Sequence, residues 1–281
     1  MEEFSSGDFQ LPMPLHFKAD GQYGYDLKTA LQDIKNLKIT NEGLSLIAEG
    51  KIQEVKEGNE YDLKGEWSKA KPDILSKWIP EKMMSSLKSY SFFGESDGKF
   101  SWRGKSSSST SPDLLLEGQW KNGGFSSPDI EKEVKNLDVQ FVYHTADGEH
   151  KGKSTLQCTV EKNSTFGDDF RGLFHIIDLD NPIADIQIKG NIEGALINMV
   201  SAPFFTFQEG NLDIEEFDIQ NINFSKQPFQ HLLNHGKWHI KTNGIKSVYV
   251  NNPTSWSKGE FKSDPANGMH FEFDQLSWSK A

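Results

Sequence analysis

With a single cysteine, Cys158, the chain has no partner for an intrachain disulfide. A small disulfide-stapled extracellular module is therefore excluded, although a bacterial periplasmic protein is not. Long apolar runs are missing too, and no stretch approaches the ~18–20 residues of a helical membrane span. The start, Met1-Glu2-Glu3-Phe4-Ser5-Ser6-Gly7-Asp8, is acidic and lacks the basic and apolar regions of a signal peptide. Two expectations remain open: a cytosolic protein, or a soluble piece of a longer exported chain. Positive charge is also short, with 30 Lys and Arg against 41 Asp and Glu, a net charge of −11. Nucleic-acid binding needs a basic stripe to neutralise phosphates, and none appears. Small clusters such as Lys35/Lys38 and Lys69/Lys71 sit among acids and read as solvated faces. An anionic bilayer surface is a poor docking site by the same charge argument.

Helical periodicity is scarce. Its best case is residues 72–90, where Ile74, Leu75, Trp78 and Ile79 sit at helical spacing after Pro72. Pro80 interrupts, predicting two short helices over 73–79 and 81–89. There Met83 and Met84 read as packing filler. Residues 229–234, closed by Gly236, and a single turn over 129–134 complete the helical candidates.

What the sequence does have is aromatic rings and alternation. Only 35% of residues are hydrophobic, yet 12% are aromatic, including 20 Phe and 7 Trp. Few aliphatics with many rings suit half-buried strands better than buried helices or parallel strands. Period-2 runs recur: Leu15, Phe17, Ala19; Leu44, Leu46, Ala48; Val139, Phe141, Tyr143; Phe170, Gly172, Phe174; Ile186, Ile188; Met269, Phe271, Phe273. Each is bounded by Gly, Asn, Asp or Pro, the strand signal. The fold class is therefore mostly β, an antiparallel sheet with one apolar and one polar face and a few short helices. The stretch 104–112, Gly-Lys-Ser-Ser-Ser-Ser-Thr-Ser-Pro, reads as a flexible connection. Strand patterns resume on both sides, so one β domain over residues 1–281 is favoured, with two lobes joined near 104–112 as the alternative.

One short pattern repeats. Ile34-Lys35-Asn36-Leu37-Lys38-Ile39, Val134-Lys135-Asn136-Leu137-Asp138-Val139 and Ile219-Gln220-Asn221-Ile222-Asn223-Phe224 share a form, and Phe273-Asp274-Gln275-Leu276-Ser277-Trp278 follows it loosely. The first three have a Gly upstream (Gly24, Gly124, Gly210). The amide residue is expected to mark a corner where the chain enters a new strand, since Asn tolerates left-handed geometry.

The search for chemistry ends in structural readings. Asp168/Asp169 and Asp178/Asp180 are carboxylate pairs, but glycosidase chemistry needs two carboxyls facing across a cleft. Asp180-Asn181-Pro182 looks instead like a turn. His231, His235 and His239 resemble a zinc-protease helix, yet Leu232 stands where the general-base Glu belongs. Gly236 should end that helix before His239. Cys158, in Leu156-Gln157-Cys158-Thr159-Val160, reads as a buried structural thiol with no basic neighbour to activate it. Gly190 and Gly194 lack the Lys-Ser/Thr ending of a phosphate loop, and no Gly-x-Ser-x-Gly elbow exists. Asn163-Ser164-Thr165 and Asn223-Phe224-Ser225 are accidental glycosylation patterns. No enzyme, no cofactor and no metal is expected.

Several stretches resemble the AsmA-like proteins, the family that includes TamB. The run Phe170-Arg171-Gly172-Leu173-Phe174, continuing through Asp178-Leu179-Asp180-Asn181-Pro182 to Ile186-Gln187-Ile188-Lys189-Gly190, is similar to the family's recurring unit. Leu114-Leu115-Leu116-Glu117-Gly118-Gln119-Trp120, Trp78-Ile79-Pro80 and Gly210-Asn211-Leu212 are similar to other family segments. The resemblance implies an elongated, curled antiparallel sheet with an apolar interior groove, the β-groove or taco-like architecture. It also implies the periplasm of a Gram-negative bacterium, as a soluble part of an inner-membrane-anchored protein. Its role would be lipid transport or outer-membrane maintenance. This sequence departs from the family in lacking the N-terminal membrane helix, and the family brings no catalytic residues.

The first functional expectation is thus a groove holding lipid acyl chains. Its candidate lining residues are Phe17, Leu46, Phe141, Tyr143, Phe174, Ile176, Ile186, Ile188, Phe271 and Phe273. Which sheet face points inward is open at this level. A second expectation is a carbohydrate-binding sandwich using Trp102, Trp120, Trp238, Trp256 and Trp278 as platforms. A third is a scaffold or partner-binding segment of a larger envelope protein, whose open groove only caps a neighbouring sheet edge, with envelope protein partners and membrane association through flanking regions.

Overall fold

The computed structural model describes residues 5–6, 9–10, 18–41, 43–72, 90–106, 112–126, 133–147, 152–163, 169–179, 181–194, 205–223, 235–249, 252–264, 266 and 268–278. Seventeen strands are described. A short pair, β1 (Ser5–Ser6) and β2 (Phe9–Gln10), stands apart from the main sheet. The main sheet begins with β3 (Lys18–Asp26), β4 (Leu31–Asn41), β5 (Leu44–Val55), β6 (Gly58–Ala70) and β7 (Ser91–Ser106). It continues with β8 (Asp113–Ser126), β9 (Val134–Asp147), β10 (Lys153–Asn163), β11 (Arg171–Ile177) and β12 (Ile183–Glu193). The last strands are β13 (Phe205–Asn223), β14 (Lys237–Tyr249), β15 (Asn252–Asp264), β16 (Gly268–Asp274) and β17 (Ser277–Trp278). Their order in the sheet is their order in the chain from β3 to β16, with β17 pairing β15 beyond the end of β16. β3 and β16 do not pair with each other, so the sheet is open rather than a barrel. The antiparallel β fold expected from alternation is what forms.

Two compact units are distinguished, one of residues 1–123 and 141–154, the other of residues 124–140 and 155–281. In the first unit, rows of directly opposed residues run across the strands, and opposed residues share a face. Ala19, Ile39, Leu46, Trp67 and Gly98 form one row; Tyr23, Ile34, Gly50, Leu63 and Trp102 form another. The intervening residues form the opposite face, where Lys64 pairs with Glu49 at 3.0 Å and Arg103 with Asp62 at 3.1 Å.

The second unit has the same grain. Cys158, Phe174, Ile186 and Ile219 make one row; Val160, Gly172, Ile188, Phe217, Trp238, Ser263 and Met269 make another. Ala184, Ile219 and Ile222 form one buried cluster in it, with Ile176, Ile186 and Phe217 packed against them.

Several local expectations need correction. The repeated amide residues are left-handed, with φ of 51° at Asn36, 52° at Asn136, 57° at Asn221 and 54° at Gln275. They are not corners into new strands, however. Asn36, Asn136 and Asn221 lie within β4, β9 and β13. Register shifts fall at Asn36 and Asn221, where the extra residue is absorbed as a bulge that kinks the strand without ending it. Only Gln275 falls between strands, where β16 gives way to β17. Residues 104–106 continue β7, and 107–111 of the expected flexible connection lie outside the described residues. The helices expected over 73–79, 81–89 and 229–234 also lie outside them, as does 129–132, while Val134 opens β9.

Candidate functional site

The residues available for function sit on the two sheet faces, and alternation decides which side chain goes where. In the first unit Leu46 stands between Ile39 and Trp67. The Trp67 ring stacks on Phe141 at 6.3 Å and donates from Nε1 to Ser96 Oγ at 3.1 Å. The ring covers two glycines: a Cβ on Gly98 would lie 2.3 Å from Trp67 Cζ2, and one on Gly118 2.8 Å from it. Those positions let a wide ring lie flat on the sheet. Tyr143 follows Phe141 by two residues and so shares its face. Tyr61 and Trp102 stack at 4.6 Å and 17°. These rings and the neighbouring Ile34, Ile52 and Leu63 are half-buried, so the first unit offers an apolar surface still partly open among the described residues.

The second unit brings Phe174, Ile176, Ile186 and Ile188 onto one face, as the sequence suggested they would be grouped. Phe271 and Phe273 lie on the same face at the far edge, in a cluster with Trp256 and Phe261 whose ring centroids are 5.2–6.0 Å apart. Phe17 lies outside the described residues. This face is more deeply covered than that of the first unit, with Ile219, Ile245 and Leu212 buried. Two hollows in the unit, of about 820 and 660 Å³, lie mainly on the polar face instead. The larger is lined by Asp213, Lys241, Glu260 and Glu272 among others, the smaller by Glu161, Arg171, Gln187 and Asp218.

That polar face is laced by ion pairs that sequence reading missed. His239 faces Glu215 through Nδ1 and Glu260 through Nε2, each at 2.7 Å. Lys241 binds Glu215, and Lys262 binds Glu260 at 2.8 Å. Lys262 first and His239 second hold Glu260 down to about 2. Lys241 lowers Glu215 below its ordinary value and is itself raised by that contact. The two carboxylates approach opposite nitrogens of one ring, so they cannot converge with it on one cation. No group of three His, Cys, Asp or Glu able to hold a metal occurs among the described residues. His239 lies in β14 and His235 just before Gly236, while His231 is outside the described residues.

Those of the other chemical candidates that are described sit in local structure. Asp178 has φ 63° and accepts the Asn181 N–H on its carbonyl at 2.9 Å, the turn expected there. Asp169 is exposed in a turn, and Asp168 and Asp180 lie outside the described residues. Cys158 is half-buried opposite Phe174, and burial pushes its thiol up to about 11. A thiol held protonated at neutral pH is a poor nucleophile.

Among the tryptophans, Trp238 and Trp256 are buried, and Trp256 donates to Thr242 Oγ1 at 2.8 Å. Trp120 is half-buried and donates to the Phe93 carbonyl at 3.0 Å. Only Trp278 of the five is strongly exposed. Compared with known protein families, characterised proteins and solved structures, the chain matches none.

Proposed function

We propose that the chain is a non-enzymatic protein whose apolar sheet face holds lipid acyl chains, in support of lipid transport or outer-membrane maintenance. The observation behind this reading is the first unit's half-buried rows, in which Tyr61, Leu63, Trp102, Leu46 and Trp67 lie on one face and charges on the other. A flexible acyl chain suits a shallow apolar surface because burial is non-directional and gains about 0.8 kcal/mol per methylene. Ten covered methylenes would give roughly 8 kcal/mol before the costs of association are subtracted. The periplasmic, inner-membrane-anchored setting follows from the family resemblance of the segments around Phe170–Gly190 and Leu114–Trp120 and is part of the same proposal. So is any envelope protein partner.

Packing weighs against the carbohydrate reading. Four of its five proposed Trp platforms are set into the apolar face or hydrogen-bonded within it.

The test uses the purified chain, organic extraction with mass spectrometry, and titration with a fluorescent phospholipid. Co-purified phospholipid and saturable binding are expected. Leu63→Asp should weaken binding at least tenfold, whereas Lys64→Gln, its neighbour on the charged face, should leave it unchanged. Absence of lipid from the extract together with no binding would remove the proposal.

A further inference from the structure

β16 ends the sheet, and among the described residues no strand pairs with its outer edge. Open edges offer unpaired N–H and C=O groups, and proteins usually blunt them with lysine, proline or a bulge. Within Gly268–Asp274 there is no lysine, proline or bulge, and the only acidic side chains are Glu272 and Asp274. Instead the edge displays Met269 at 49%, Phe271 at 48% and Phe273 at 38% exposure. The flat stretch is bounded at both ends. Gly268 has φ 79°, and beyond Asp274 the left-handed Gln275 displaces the chain before β17 begins.

We propose that β16 is a homodimerisation edge, pairing antiparallel with β16 of a second copy about a two-fold axis through Phe271. The register follows from the residues. Centred on Phe271, each Met269 opposes the other copy's Phe273, each His270 opposes Glu272, and the two Phe271 rings meet. No like charges are opposed, and His270 gains a carboxylate across the axis in place of its neighbour Glu272, 3.4 Å away on the same strand. Moving the centre to Glu272 would set two glutamates face to face. An odd shift would set phenylalanines against His270 and Glu272, because opposed residues share a face.

The other open edge, β3, is a worse mate for β16. Both antiparallel registers that overlap all of β16 and match apolar faces oppose Asp20 to a carboxylate, Glu272 in one and Asp274 in the other. The contact is therefore isologous and closes at two copies. It shares Phe271 and Phe273 with the expected lipid-lining set, but it rests on the open edge and the pairing register and not on lipid binding.

Sedimentation velocity on the full 281-residue chain at tens of micromolar should show a dimer. Phe271→Lys, which sets two ammonium groups against each other, should raise the dissociation constant at least tenfold with an unchanged circular dichroism spectrum. Tyr23→Lys on β3 should have no effect. In a Cys158→Ser background, oxidised Phe271→Cys should form a covalent dimer, and Met269→Cys should link to Phe273→Cys in a mixture but not to itself. A monomer without cross-links, a dimer that survives Phe271→Lys or is lost with Tyr23→Lys, or self-linking of Met269→Cys as efficient as that of Phe271→Cys would overturn the proposal.

Discussion

Lys69 has φ 54°, and its N–H is held at 2.9 Å by the carboxylate of Asp97 on the next strand. Asn221 repeats the arrangement with Asp185 at 2.8 Å. In each case a bulge residue turned left-handed is tied by an aspartate standing opposite the shift in register. The Lys69 N–H first, and the Lys121 ammonium second, hold Asp97 below its ordinary value of 3.8. A carboxylate with a depressed folded value adds stability above its unfolded value and loses it as pH falls through the folded one. Asp97→Ala should accordingly cost on the order of 1–2 kcal/mol at pH 7 by urea denaturation, with the difference from the parent shrinking towards pH 3. Glu260 follows the same sign from a separate network. Its contribution is complete above 4.5 and lost as pH falls towards about 2. Lys262→Ala should move its titration upward in a carboxyl NMR experiment. Cys158, with its thiol pushed up to about 11, should resist alkylation at pH 7.5 in the folded chain and react readily in urea.

Alternation made the strands legible and also sorted their faces. Leu44, Leu46 and Ala48 follow the expected period in β5, as do Ile186 and Ile188 in β12. The amide pattern correctly signalled left-handed backbone at Asn36, Asn136, Asn221 and Gln275. What it failed to signal was that a strand can absorb such a residue as a bulge, because that depends on an extra residue in one strand and none in its neighbour. Glycines under rings were equally invisible. Trp67 and Gly98 are far apart in sequence, and only pairing of β6 with β7 puts one over the other. Trp67 cannot easily retreat, since Ser96 holds its Nε1. Gly98→Ala should thus cost about 1–3 kcal/mol, measured by chemical denaturation, through overpacking. Serine there should do the same, since the Cβ is the clashing atom.

A sheet whose strands are neighbours in sequence order gains most of its pairing from hairpins. Its weakest parts are its ends, where each strand has one partner rather than two. Every residue of β3 is exposed, whereas β13 and β14 each have neighbours on both sides. Native-state hydrogen exchange should therefore be fastest in β3 and slowest in β13 and β14. Slow exchange throughout β3 would show its outer edge to be covered.

The sequence by itself determined that this chain folds as antiparallel β and that alternating strands such as β5, β6 and β12 have one apolar and one polar side. The reason is that a period of two is a property of neighbouring residues and survives any packing. It also showed that Leu232 stands where a zinc-protease helix carries its general-base Glu, and that Asp178-Leu179-Asp180-Asn181-Pro182 carries the residues of a turn. Tertiary structure decided which apolar residues share a row, which glycines lie beneath rings, and that His239 is gripped by Glu215 and Glu260 from both sides. It placed the hollows of the second unit on the polar face and left Met269, Phe271 and Phe273 at an open edge. Those facts depend on register and on which strand comes last, and neither is written in the alternation of any single strand.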